Sequence, residues 1–262
     1  MIYKVSKKDI GARDYQEDSV DIIENGQDTL FVLGDGMGGH TGGSMASETL
    51  IDVAREAFND LDYEEPQKFF DDVVSIAHRK IKVYAKKSGE DPNSTVAFAL
   101  VTGNTLHYAN IGDSRVYIFD EYGLVTRTRD HSIPEMLFQM GEIKEEEMAT
   151  HPDQNRITRS LGPHKLTNTT YRDFYFQSDK SYMILLCSDG FWEYISEHEM
   201  SKLFNIDAEE IEDKLEELML LINQRAGARA DNISVAIGKI DIERESHENE
   251  FWMHISMDNG VF

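Results

Sequence analysis

The sequence predicts an α+β fold, antiparallel sheets with helices packed outside them, on three observations. Short β-branched or aromatic segments bounded by turn residues recur along the chain. Longer segments with apolar residues three and four apart lie early and late. The links between the middle strands, such as Gly103-Asn104 and Glu121-Tyr122-Gly123, are too short for the crossover helices that parallel strands need.

The predicted strands are 29–35 (TLFVLGD), 94–101 (STVAFALV), 105–113 (TLHYANIGD), 114–120 (SRVYIFD), 170–177 (TYRDFYFQ), 181–189 (SYMILLCSD) and 232–240 (NISVAIGKI). Several end in Asp or Gly-Asp. Amphipathic helices are predicted over 45–58, 66–85 and 208–224. In the last, Ile211, Leu215, Leu218 and Ile222 share a face and Asp207 is placed to cap the N-terminus. Between Asp130 and Gly162 the chain turns polar, with two short helical pieces, and reads as an excursion lying over one face of the core. After Ile240 comes DIERESHENE and then FWMHISMDNGVF, an extra strand or a docking segment.

The 262 residues, 40% hydrophobic, suit one large core, and no linker or repeat divides them. One domain is therefore expected over 1–240, with the tail 241–262 unassigned. The start MIYKVSKKDIG lacks the apolar centre of a signal peptide, and no apolar run is long enough for a membrane span. A cytoplasmic protein without a membrane partner is the expectation. The lone Cys187 sits in an apolar run, as a buried inert thiol would. A net charge of −23, from 26 basic against 49 acidic residues, argues against nucleic acid as a partner. With no cysteine cluster, the chain has ligands for hard divalent cations and lacks those for zinc or iron–sulfur sites.

The informative acids follow apolar strands or sit in glycine-rich turns: Asp35 in LGDGMGG, Asp113 in NIGDSR, Asp189 in LCSDGFW and Asp231 in ARADNIS. Glu17 and Asp18 in RDYQEDS join them. One such residue is ordinarily a turn former or a helix cap. So many from distant segments can converge only if something positive holds them, and hydrated Mg²⁺ or Mn²⁺ would do so.

Read in order, GARDYQEDS, DGMGGH, NIGDSRVY, HPDQNRITRSLG, SDGFW and ADNISV resemble the metal-dependent protein phosphatases of type 2C, specifically their single-domain bacterial members. The resemblance runs from Gly11 to about Ile240. It implies a four-layer αββα sandwich, two antiparallel sheets flanked by helices, with a metal cleft at one end. It also implies that Asp35 bridges two metal ions, that Gly36 offers its carbonyl to one of them, and that Asp189 and Asp231 bind the first ion. Glu17 then binds the second, with Asp18 reaching it through water, and Asp113 helps hold a third, weaker ion. Arg13 matches the arginine that grips the substrate phosphate, and His40 falls where bacterial members carry a histidine, a candidate general acid.

The implied reaction is hydrolysis of phosphoserine or phosphothreonine in proteins by a metal-activated water, with Mn²⁺ or Mg²⁺ as cofactor. Arg13 supplies a planar fork of donors that lysine cannot copy. Asn232 is expected to hydrogen-bond backbone or a ligand carboxylate. Ser114 and Arg115 read as structural, Phe191 and Trp192 as core wedges, and His78, His107, His131, His151 and His164 as surface or structural. Gln16 stands where the family usually has asparagine, and Met37 where many eukaryotic members have histidine. The excursion 130–162 would be the flap beside the cleft. The expected partner is a phosphoprotein, including a Ser/Thr kinase or its targets, and the expected form is a monomer. Two other classes stay open: a catalytically silent relative that binds a partner, and a phosphatase of small metabolites or of a regulator such as an anti-sigma antagonist. The acidic surface predicts a preference for basic flanks around the phosphosite.

Overall fold

The computed structural model describes residues 2–38, 41–60 and 65–242. Its elements are β1 (Ile2–Asp9), β2 (Ser19–Asn25), β3 (Asp28–Gly34), β4 (Gly36–Met37), α1 (Thr41–Asp60), α2 (Pro66–Ser88), β5 (Asn93–Ser94), β6 (Val96–Thr102), β7 (Thr105–Ile111), β8 (Arg115–Asp120) and β9 (Gly123–Arg127). The excursion carries α3 (Ile133–Gln139) and a 3₁₀ turn over Glu145–Thr150, and then follow β10 (Thr170–Tyr175), β11 (Lys180–Cys187), α4 (Asp189–Trp192), α5 (Glu197–Ser201), α6 (Ile211–Ala226) and β12 (Ile233–Ile242).

The strands form two five-stranded sheets, ordered β1-β12-β11-β8-β9 and β10-β7-β6-β3-β2, plus the small pair β4-β5. Every named pairing is antiparallel. Side-chain alternation assigns each face. Leu30 and Val32 of β3 pack with α1 and α2 residues such as Leu50 and Phe70. Phe31 and Leu33 face the other sheet, among Ile184, Leu186 and Ala236. Across the sandwich, Met183, Leu185 and Cys187 of β11 pack with Leu215 and Ile222 of α6. Strands buried on both faces read as continuous apolar runs, which is why TLFVL and YMILLC look as they do. The expected four-layer αββα sandwich is therefore the observed one.

Several expectations change in detail. Helix α1 begins at Thr41 rather than at residue 45, and α6 begins at Ile211 with Glu210 before it. Asp207 does not cap α6; its carbonyl accepts from the Glu210 N–H in a preceding turn. β12 continues to Ile242, past the expected end at Ile240, and the rest of the tail, 243–262, lies outside the described residues. The excursion does carry two short helical pieces; a bridge from Leu161 to Ser94 ties it down, and one from Ser132 to Ile157 closes it on itself.

Register brings the ends of the key strands to one edge of the sandwich. Cys187 of β11 pairs with Arg115 and Val235, while Ile233 pairs with Asp9. In the other sheet Gly34 pairs with Ser19, and Val96 with Ile111. The segments that follow or precede these residues carry the acids singled out from the sequence.

Candidate metal centre

Asp35 leaves β3 with its backbone clamped on both sides by one residue. Its N–H donates to Thr95 Oγ1 at 2.8 Å, and its carbonyl accepts from the Thr95 N–H at 2.8 Å. The Thr95 hydroxyl also meets the Ser114 hydroxyl at 2.6 Å, so the GDSR turn that carries Asp113 is fixed to the same point. Ser114 is structural, as its sequence context suggested. Gly36 lies so close to the Glu17 backbone that a Cβ there would sit 2.4 Å from the Glu17 carbonyl oxygen. A Cβ at Gly43 would fall 2.4 Å from Glu17 Oε1. These glycines are required by close approach rather than by loop flexibility.

The 10–18 loop is held from the opposite end of the chain. Asn232 Oδ1 accepts from the Glu17 N–H at 2.7 Å, and its Nδ2 donates to the carbonyls of Ile10 and Tyr15 at 2.9 and 3.0 Å. Gln16 turns the same loop, donating to the Asp9 carbonyl and accepting from the Asp18 N–H, both at 3.0 Å. Gly190 permits the last approach: a Cβ there would lie 2.1 Å from the Asn232 carbonyl oxygen, so the Asp189 and Asp231 turns touch through backbone.

The carboxyls brought together this way act on one another. Burial, and then the charges of Asp18, Asp189, Asp113 and Asp231, hold the Asp35 carboxyl well above the usual carboxylate range. Burial followed by Asp189 and Asp130 does the same to Asp113. Asp18, 2% exposed, is pushed up to about 7 by burial, with Asp189 and Asp231 adding and the Ser188 hydroxyl opposing. Asp189 is pushed up to about 6 by burial and by Asp231, with a hydrogen bond to Asp35 opposing. Arg13 meets this set from outside, Nη2 to Asp231 Oδ2 at 2.5 Å, with both side chains well exposed. Thus Arg13, Glu17, Asp18, Asp35, Asp113, Asp189 and Asp231 gather in one region. Among the described residues no group of three acids, histidines or cysteines closes into a ligand sphere. His40 lies outside the described residues.

The donor set suits a hard divalent ion. It consists of carboxylate oxygens and the Gly36 carbonyl region, with no thiolate, and Asp18 Oδ2 is buried without a hydrogen-bond partner. Buried carboxylates that must otherwise hold protons are the environment in which a cation is most strongly favoured.

Sequence reasoning gave Arg115 and Trp192 structural roles but not the partners through which they brace this region. The Trp192 indole donates to the Asp113 carbonyl at 3.0 Å. The Arg115 guanidinium stacks 3.5 Å from the Trp192 ring centre and grips both oxygens of Asp130 at 2.9 and 2.7 Å. Trp192 is thus more than a wedge, and Arg115 is structural but charged and buried. The other histidines are structural where their bonds are seen: His78 Nδ1 on the Gly162 carbonyl at 2.7 Å, His107 Nδ1 on Asp173 at 2.6 Å, and His131 between the Gly112 N–H and the Thr170 hydroxyl. Burial pushes the Cys187 thiol up, which leaves it inert.

A two-sheet sandwich with a carboxylate-lined mouth defines a class of candidate metal-dependent hydrolases, and comparison with known proteins narrows it. The family description "Protein phosphatase 2C" matches residues 7–226. The chain is 28% identical over 244 residues to the serine/threonine phosphatase stp of Listeria monocytogenes, covering 90% of this chain and 94% of that one. It is 30% identical to the protein phosphatase PhpP of Streptococcus pneumoniae, covering 82% and 87%. Among solved structures it resembles the S. agalactiae serine/threonine phosphatase, with a TM-score of 0.82 and 26% identity over 93% of this chain and 100% of that one. It also resembles the catalytic domain of the serine/threonine protein phosphatase PstP in complex with two manganese ions, with a TM-score of 0.76 and 28% identity over 92% and 99%. The chain belongs to the protein phosphatase 2C family.

Proposed function

We propose that this protein is a serine/threonine protein phosphatase whose hydrolysis depends on divalent cations held by Glu17, Asp35, Gly36, Asp113, Asp189 and Asp231, with Asp18 acting through water. The supporting observation is the convergence of Asp18, Asp35, Asp113, Asp189 and Asp231 from separate segments, each raising the need for positive charge at the others. When bound, Mn²⁺ or Mg²⁺ there would neutralise phosphoryl charge and lower the pKa of a water that attacks phosphorus. Asp35 would be the shared ligand, its backbone held by Thr95. Arg13, half-exposed on Asp231, is free to turn its remaining N–H groups to phosphoryl oxygens. Asn232 holds the Glu17 backbone and so keeps the loop that presents both Arg13 and Glu17 in place. His40 is assigned the proton to the departing serine or threonine oxygen.

The segment 130–162 is assigned the role of flap, and Asp113 that of a ligand for a third, weaker ion. The cellular substrate class is the phosphorylated product of a Ser/Thr kinase, and the protein is assigned to the cytoplasm as a monomer. No helix among the described residues is long and apolar enough to cross a membrane. The test is phosphate release from a phosphothreonine peptide with Mn²⁺, lost with chelator and in Asp189→Ala. Activity that survives both refutes the metal assignment, and absence of Mn²⁺ binding by calorimetry favours a silent binding protein.

A further inference from the structure

Beside the carboxylate cluster, α4 and the turn after it wall a cavity of about 680 Å³ whose opposite side is the 3₁₀ turn of the excursion. Arg115, Tyr117 and Trp192 lie at one end, and Glu145, Glu193 and Glu197 are among its walls. The cations at this cavity are already held. Arg115 is taken by Asp130 and the Tyr117 hydroxyl, and Arg225 by Glu199 at 2.5 Å.

Most of its acids are matched as well. Arg127 reaches Glu145 at 2.6 Å and Glu197 at 3.3 Å, and Glu146 meets Lys144 at the exposed rim. Glu193 differs. Its side chain is half-buried in the cavity wall, and among the described residues no ion pair or hydrogen bond to its carboxylate is found. Burial, with Asp189 and Asp231 behind it, pushes this carboxyl up to about 8. Arg115 and Arg229 act on this carboxylate electrostatically in the opposite direction, but among the described residues neither comes within ion-pair distance of it, so it sits in the cavity wall without a counter-ion in contact. The Trp192 ring already carries the Arg115 guanidinium, and Tyr194, half-buried in the same wall, offers the aromatic contact that favours a guanidinium or ammonium group.

We infer that this cavity receives the side chain of an arginine or lysine flanking the phosphorylated residue of a protein substrate, with Glu193 as its counter-charge. The inference rests on the phosphatase reading for its substrate and on the cavity for its chemistry. Glu193 follows Asp189 by one turn of chain, so a cation seated here lies beside the phosphate site rather than across the molecule. It sharpens the preference expected from net charge: the preference belongs to one carboxylate and not to the −23 surface as a whole.

The experiment uses two phosphothreonine peptides that differ only in arginine or alanine at the flanking positions. Binding to the full chain is read by fluorescence anisotropy with chelator present, and phosphate release is read separately with Mn²⁺. The arginine peptide is expected to bind about two- to fivefold more tightly, the range for a partly shielded charge pair. Glu193→Gln should bring the ratio of the two peptides to about one, Glu193→Asp should keep part of it, and the exposed Glu121→Gln should keep all of it. The kcat/KM ratio should follow the same order. Equal binding of both peptides, no saturable binding of the arginine peptide at millimolar concentration, or a preference untouched by Glu193→Gln overturns the inference. An arginine preference without phosphate release from either peptide supports the cavity and refutes the phosphatase reading alone.

Discussion

Replacing Arg115 by methionine takes a buried cation from between Asp130 and Trp192 while keeping the volume nearly filled. The Arg115 and Asp130 side chains are 8% and 1% exposed, so water cannot take the place of the lost partner. Three hydrogen bonds go: two to Asp130 at 2.9 and 2.7 Å and one to the Tyr117 hydroxyl at 2.9 Å. The remaining cation near Asp130 is Arg127 at 4.0 Å, already holding Glu145 and Glu197. Leaving one member of a buried pair uncompensated costs about 3–5 kcal/mol. For a chain of this size that corresponds to a fall in Tm of roughly 6–20 °C. Urea unfolding followed by far-ultraviolet circular dichroism, with chelator throughout, measures the loss. Arg115→Met/Asp130→Asn should recover more than half of it, because the stranded charge is gone. A single variant within about 1 kcal/mol of wild type, or a double variant no better than the single one, refutes the reasoning.

Three other outcomes are expected. Gly190→Ala places a Cβ 2.1 Å from the Asn232 carbonyl oxygen, so the Asp189 and Asp231 turns must separate; about 1–3 kcal/mol of stability and at least tenfold in Mn²⁺ affinity should be lost together by calorimetry. Asp18→Asn removes a buried carboxylate with an unpartnered oxygen and should stabilise the metal-free protein by about 1–3 kcal/mol while weakening Mn²⁺ binding. His131 is held neutral by burial and by Arg159, its pKa lowered from 6.5 to about 4; the unfolded chain therefore binds more protons in that window, and stability present above about pH 6.5 should be lost as pH falls toward 4. His131→Gln should flatten that part of the stability profile, and an unchanged profile would remove His131 from the account.

The strands most plainly legible in the sequence were those buried on both faces, while the half-exposed β10 was read from the aromatic content of TYRDFYFQ and the helices from their apolar periodicity. TLFVL and YMILLC are buried on both faces, so composition alone marked them as strands. β1 and β2 went unread because IYKVSKKD and SVDIIEN mix lysine, aspartate and glutamate into strands that are largely only half-buried. β9 is a short edge strand with exposed Leu124 and Val125, and local sequence offers nothing to distinguish it from a loop. Asp207 looked like a cap because acids favour helix starts, yet a turn came between it and α6.

The site divided along a similar line. Its acids were visible because a carboxylate at a strand mouth is costly and so conspicuous. Thr95, Ser188 and Asp130 were not, because hydroxyls and acids are common in turns and only the register of the strands brings Thr95 to Asp35. Glu193 carries no local signal at all; its significance comes from which neighbouring arginines are already taken.

β1 lies beside β12, and β12 beside β11, so the strand before the 10–18 loop is joined to the sheet only through a strand made after every other strand of that sheet. Until residues 231–242 have left the ribosome, Asn232 cannot hold the Glu17 backbone and Asp231 is not there to pair with Arg13. A nascent chain would therefore have Asp35, Asp113 and Asp189 in hand and still lack an assembled cation site. The cation site would thus be completed by the insertion of one central strand, β12.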